Sequence, residues 1–184
     1  WESQRQQELQ HYTTWHSWDT YNVGIGQGYN QYTIIQLANY VAAIANGGKL
    51  YTPYIVEKIV AADGTVVKEV SPQLKKIVDV SPETIAITQK AMVARTQPGG
   101  TASSLFRHFP PEIKVGAKTG TVQPGRAGYD KTDDYDGTFI AFAPADDPQI
   151  AFAGIVEHGR SGYYSIGKVA RDIFEEYFGL NEQE

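Results

Sequence analysis

The sequence contains no cysteine. That excludes disulfides, thiolate-ligated zinc and a thiol nucleophile, and it leaves the redox compartment open. Basic charge is scarce as well. Lys and Arg number 16 against 21 Asp and Glu, the net charge is −5, and no basic cluster exceeds Lys75-Lys76. Nucleic acid is therefore not an expected partner. No apolar run approaches the roughly 18 residues needed to cross a bilayer, and no signal-peptide pattern is present. The chain opens Trp1-Glu2-Ser3 within a polar helical pattern, so it reads as a fragment whose targeting segment lies elsewhere. Internal repeats and low-complexity tracts are absent. What remains is ordinary globular material: 184 residues, 41% apolar and 20% charged, enough for one domain.

Residues 1–18 read as a polar, Gln-rich and aromatic helix tail. A loop around Trp18-Asp19 leads to Val23-Gly24-Ile25-Gly26-Gln27-Gly28-Tyr29, a Gly-x-Gly-x-Gly run. A phosphate cradle needs a strand before such a run and a helix opening within it. Neither is expected here, so the glycines are read as permitting a tight backbone path. Thr33-Ile34-Ile35-Gln36 is a capping box for a helix with apolar positions 34, 37, 38, 41, 44 and 45, stopped by Asn46-Gly47-Gly48. Runs 55–60 and 65–70 flank Asp63-Gly64, a hairpin signal. Ser81-Pro82-Glu83 opens a second helix that ends near Arg95. A short helix is expected over 101–106.

Strands are expected over 113–122, 138–143 and 150–156. The short connection Pro144–Pro148 makes the second and third antiparallel, because a parallel crossover needs about a dozen residues. A polar loop spans 123–137. An amphipathic helix over 163–178 closes the chain, with Ile166, Val169, Ala170, Ile173, Phe174 and Tyr177 as its inward stripe.

Within the first of these strands stands Lys118-Thr119-Gly120-Thr121. Lys118 supplies a fixed positive charge, and the hydroxyls of Thr119 and Thr121 can donate to a carboxylate. Gly120 keeps the strand surface flat, so an extended peptide can lie along its edge. The bland alternative is a solvated edge-strand lysine beside β-forming threonines. Ser165-Ile166-Gly167-Lys168 has Ser-x-x-Lys spacing, but it follows the strand and its apolar stripe belongs to a covering helix, so it is not read as a nucleophile. The acids Asp130, Asp133, Asp134 and Asp136 suggest a calcium loop only superficially, since Ala143 stands where a bidentate Glu is required. His11, His16, His108 and His158 lack metal-ligand spacing. No metal or cofactor is expected.

Gly24-x-Gly26-x-Gly28-Tyr29, the helix ending Asn46-Gly47-Gly48, Gly100-Thr101-Ala102, Lys118-Thr119-Gly120-Thr121 and Phe142-Ala143-Pro144 occur in that order. Over about residues 19–178 this series resembles the class B penicillin-binding proteins, most closely the elongation-type transpeptidases of rod-shaped bacteria. The resemblance implies an α/β (α+β) sandwich of the β-lactamase/transpeptidase type, an antiparallel sheet with covering helices. Residues 1–184 would be a C-terminal fragment of the transpeptidase domain, with 113–178 holding the Lys-Thr-Gly strand, two further strands and the closing helix. It also implies acyl transfer: a serine attacks the penultimate D-Ala carbonyl of a peptidoglycan stem peptide, D-Ala leaves, and an amine of a neighbouring peptide takes the acyl group. β-Lactams would acylate the same serine.

Lys118, Thr119, Gly120 and Thr121 would then bind substrate, and the Thr121 backbone N–H would be one oxyanion donor. The family's Ser-x-x-Lys and Ser-x-Asn are expected upstream, yet neither is there. They would belong to a companion segment or chain. Partners implied are stem peptides, β-lactam antibiotics and the cell-wall elongation machinery, at the extracytoplasmic face of a bacterial membrane with the anchor outside this chain. A serine β-lactamase or D,D-carboxypeptidase, or a non-catalytic penicillin-binding sensor, would share the same strand.

Overall fold

The computed structural model describes residues 14–122 and 135–183. The expectations for residues 1–13, including His11, and for most of the polar loop, including Asp130, Asp133 and Asp134, lie outside the described residues. The chain divides into two units, residues 1–32 and 33–184.

In the first unit, α1 (Ser17–Gly24) occupies the stretch read as a loop. Its start is set by Asp19, a buried carboxylate that accepts the His16 N–H at 2.8 Å. This is a capping device whose His-led form hides it from a search for Ser, Thr or Asn. Gly26 and Gly28 beyond it have φ of 83° and 66°, the left-handed region that glycine enters without a Cβ clash. The Gly-x-Gly-x-Gly run therefore begins at the last residue of a helix and turns the backbone tightly beyond it.

The second unit is built on a three-stranded antiparallel sheet, β5 (Gly116–Val122), β6 (Asp136–Ala143) and β7 (Ile150–Val156), in the order β5-β6-β7. Lys118 faces Ile140, and Ile140 faces Ala153. The expected meander is present. β5 starts three residues later than expected, because Pro110 and Pro111 lead into a turn closed by the Ile113 N–H on the Pro110 carbonyl at 2.9 Å.

Strand alternation sends alternate side chains to two faces, and helices cover both. On one face Val115, Ala117, Phe139, Ala141 and Ala143 meet α4 (Ser103–Phe106) and α5 (Ile166–Tyr177) through Leu105, Phe106, Ile166, Ala170 and Phe174. On the other, Phe142 packs with Val41 and Ala45 of α2 (Ile34–Ala45) and Met92 of α3 (Pro82–Ala94). Phe139, Phe142 and Phe174 have no exposed surface. At ~25 cal/mol per Å² of apolar area, each such ring is a substantial source of stability.

The caps follow the sequence. Thr33 Oγ accepts the Gln36 N–H at 3.3 Å and Gln36 Oε1 accepts the Thr33 N–H at 2.8 Å. Ser81 Oγ accepts the Thr84 N–H at 3.2 Å. Gln89 adds a tie that sequence reading missed: its amide donates to the Ile44 and Ala45 carbonyls at 2.8 and 2.9 Å, satisfying the open end of α2.

Two differences concern apolar stripes. Of the expected stripe on α5, Ile166, Ala170 and Phe174 are buried, while Val169, Ile173 and Tyr177 remain 45%, 41% and 52% exposed. The helix packs along a single i, i+4 row, and the neighbouring row faces outward. On α2 the burial sits at Val41, Ala43 and Ala45, and Ile34 is exposed.

The Asp63-Gly64 turn joins β2 (Lys58–Val60) to β3 (Val66–Glu69) as an antiparallel hairpin. The Thr65 backbone N–H, with its side chain, holds the Asp63 carboxyl below the ordinary carboxylate range. A pair not foreseen, β1 (Lys49–Tyr51) with β4 (Leu74–Ile77), brackets that hairpin. These strands are too short to show alternation, and their partners are far apart in sequence.

Candidate functional site

β5 is an edge of its sheet, and among the described residues no strand pairs with its outer side. Which backbone groups face outward follows from the neighbouring strand. A methyl placed on Gly162 would lie 1.9 Å from the Thr138 carbonyl oxygen and 2.8 Å from that of Gly120. Those two oxygens are thus within about 5 Å of each other, whereas carbonyls pointing apart across paired strands would be roughly 9 Å apart. Gly120 and Thr138, which face each other, therefore form a hydrogen-bonded pair. In an antiparallel ladder the next residues on either side turn their groups the opposite way. The N–H and C=O of Thr119 and of Thr121 project from the open edge.

The pleat sets the side chains as well. A methyl on Gly116 would meet the Phe142 ring at 2.5 Å, so Gly116, Lys118 and Gly120 share the face covered by α2 and α3. Ala117, Thr119 and Thr121 share the other. Lys118 nonetheless brings its ammonium to the edge: Nζ donates to the Thr119 carbonyl, one of the outward groups. Lys118 and Thr121 are exposed and Thr119 is half-buried. A fixed cation, two hydroxyls and four backbone groups thus line one short stretch of open edge, a pattern suited to an extended peptide ending in a carboxylate.

Gly120 has a more specific role than flatness. A methyl there would lie 2.0 Å from Thr138 Oγ1, so the threonine on β6 fills the space a side chain would need.

A depression of about 540 Å³ is lined by Thr96, Ser103, Phe106, Arg107, Ile113 and Lys114 among others, and not by Lys118 to Thr121. The tetrapeptide stands on the open edge of the sheet.

Comparison with known proteins decides the family. Residues 3–178 match the penicillin binding protein transpeptidase domain. The chain belongs to the penicillin-binding protein transpeptidase family. It is 36% identical to penicillin-binding protein 2A of Bacillus subtilis over 173 residues, covering 87% of this chain and 24% of that protein. It is 31% identical to the peptidoglycan D,D-transpeptidase MrdA of Escherichia coli K12, covering 88% of this chain and 26% of the relative. Among solved structures, the ceftriaxone acyl-enzyme complex of penicillin-binding protein A from Mycobacterium tuberculosis superposes with a TM-score of 0.71 at 27% identity, over 84% of this chain and 34% of that one. Pseudomonas aeruginosa PBP2 in complex with WCK 5153 gives 0.71 at 30%, over 92% and 35%. The chain thus spans about a quarter of the length of these curated relatives.

Within this transpeptidase-family chain, Ser165 is occupied elsewhere. Its Oγ donates to the Ser161 carbonyl at 2.7 Å, and Lys168 is exposed on α5. Ser165 stands at the N-cap position of α5 but makes no side-chain cap bond. Ser165→Ala in the intact domain is expected to leave β-lactam acylation unchanged and to cost about 1 kcal/mol of stability through the lost Ser161 bond. Stopped-flow acylation with a thermal melt checks both, and loss of labelling would reinstate Ser165 as the nucleophile.

His108 pairs with Glu175 at 2.6 Å on the surface, and His16 stacks on Trp18 at a centroid distance of 4.2 Å. Among the described residues no three His, Cys, Asp or Glu side chains are grouped to hold a metal ion, and no helix is long and apolar enough to cross a membrane.

Proposed function

We propose that this chain supplies the C-terminal part of a serine D,D-transpeptidase domain, and that β5 is its substrate-binding edge. The observation that carries this reading is the open edge itself, where the outward groups of Thr119 and Thr121 and the Lys118 ammonium stand together. A stem peptide ending in D-Ala-D-Ala lies antiparallel to β5. Its terminal carboxylate meets Lys118 and the hydroxyls of Thr119 and Thr121, each such charged bond being worth roughly 1.5–3 kcal/mol. A serine on the companion Ser-x-x-Lys segment attacks the penultimate carbonyl and passes its proton to a base on that segment. The outward Thr121 N–H serves as one donor to the oxyanion. Collapse breaks the C–N bond, D-Ala leaves as the protonated amine, and the acyl ester passes to an amine of a second stem peptide.

A β-lactam presents its carboxylate and strained amide to the same groups. The E. coli relative is itself named a peptidoglycan D,D-transpeptidase, which supports the substrate class. The site belongs at the extracytoplasmic face of a bacterial membrane, with the elongation machinery as partner and the anchor on a segment outside this chain.

Residues 1–184 alone are expected to form no stable adduct with a fluorescent penicillin. The protein carrying the Ser-x-x-Lys segment together with this chain is expected to be labelled at that serine. Gel fluorescence with peptide mass mapping reads both. Labelling of 1–184 alone, or an unlabelled complete protein, contradicts the proposal.

A further inference from the structure

We propose that Gly162 is a positioning residue that orients the Thr121 N–H as oxyanion donor, acting through the Gly120–Thr121 peptide plane. The inference rests on the reading of β5 as the acyl-transfer edge. The Gly162 N–H donates to the Gly120 carbonyl oxygen at 3.1 Å. That oxygen lies in the interval between β5 and β6, so it receives this second donor in addition to its partner in the ladder. A trans peptide is planar, and its C=O and N–H point in opposite directions. Holding the Gly120 oxygen inward therefore holds the Thr121 N–H outward, toward the place where an oxyanion forms. An edge strand lacks a neighbour on its outer side, so within the sheet only the ladder bonds to β6 resist rocking of this peptide about the strand axis. The Gly162 bond adds to that resistance.

The contact is possible only for glycine. A methyl at 162 would stand 1.9 Å from the Thr138 oxygen, 2.8 Å from the Thr138 carbonyl carbon and 2.8 Å from the Gly120 oxygen. All three are backbone atoms, so no side-chain rotation relieves the clash. The segment cannot simply lift away either. The Gly162 carbonyl accepts the Gly167 N–H at 2.7 Å in the first turn of α5. Next door, the Tyr163 hydroxyl pairs with Ser104 Oγ on α4. Ser161 is packed against Gly137 of β6, where a methyl would lie 2.7 Å from the Ser161 carbonyl oxygen. A side chain at 162 must then push back the Thr138 and Gly120 carbonyls together, tilting the Gly120–Thr121 peptide or parting β5 from β6. Both outcomes misdirect the same N–H.

The test uses the intact domain, with this chain and its Ser-x-x-Lys segment together. Removing one oxyanion donor costs about 10²–10³ in rate, so misdirecting one is expected to slow acylation by about tenfold to a hundredfold in Gly162→Ala. The noncovalent Kd of the β-lactam should change little. The infrared band of the acyl-ester carbonyl should move to higher frequency, because the carbonyl is less polarised. Phe174→Leu, a core change near the C-terminal end of α5, should lower Tm without moving that band. Should Gly162→Ala fail to fold, Tyr163→Phe loosens the same segment from the α4 side and should shift or broaden the band. A wild-type band and rate in Gly162→Ala, or in Tyr163→Phe where that variant must stand in, overturns the proposal. An unaltered domain that is never acylated overturns the acyl-transfer reading of β5 itself.

Discussion

Lys118→Ala in the intact domain is expected to slow acylation by penicillins and by D-Ala-D-Ala peptides alike, by about tenfold to several hundredfold. Both ligands present a carboxylate to the same corner. The variant loses one or two charge-assisted hydrogen bonds of ~1.5–3 kcal/mol each, and every 1.36 kcal/mol is about a factor of ten in rate. The stability of the domain should hardly change, because Lys118 is exposed and its ammonium bonds the neighbouring Thr119 carbonyl. Stopped-flow acylation and a thermal melt on the same preparation separate the two effects. A variant that acylates at the wild-type rate, or one that loses activity only because it unfolds, contradicts the assignment of Lys118.

Phe142→Ala is expected to have the largest effect on stability, about 3–5 kcal/mol. Its ring is fully buried and joins the sheet to Val41, Ala45 and Met92 on the two helices of that face. It also fills the space above Gly116, the first residue of β5. The cavity left by the ring would therefore open directly beneath the start of the Lys-Thr-Gly strand, and acylation should slow along with the loss of stability. Denaturant unfolding should show a lower midpoint with an unchanged slope. A loss below about 1 kcal/mol would mean that α2 and α3 are not held to the sheet through this residue.

Much of this arrangement was legible in the residues. The capping box at Thr33, the Ser81 cap, the Asp63-Gly64 hairpin and the three-strand meander rest on local chemistry, and each stands where that chemistry puts it. The Lys-Thr-Gly-Thr edge was legible for the same reason, since a charged and hydroxyl-rich stretch within an alternating run belongs on an exposed strand. Features set by distant partners were hidden. The β1–β4 pair depends on contacts across the hairpin between them. The outward exposure of Val169, Ile173 and Tyr177 depends on which row of α5 meets the sheet, and an amphipathic pattern does not specify that. The need for glycine at 120 and 162 comes from Thr138 and its carbonyl, neither of which is a sequence neighbour. The His16–Asp19 cap was missed because its first member is not among the usual capping residues.

The most direct test of the central claim is a structure of the intact domain acylated by a penicillin. The account predicts the ligand's carboxylate within hydrogen-bond distance of the Thr119 and Thr121 hydroxyls, with the Lys118 ammonium beside it. It also predicts the acyl carbonyl oxygen on the Thr121 N–H. An acyl group seated instead in the depression between Thr96 and Lys114, with nothing against the outer edge of β5, would contradict it.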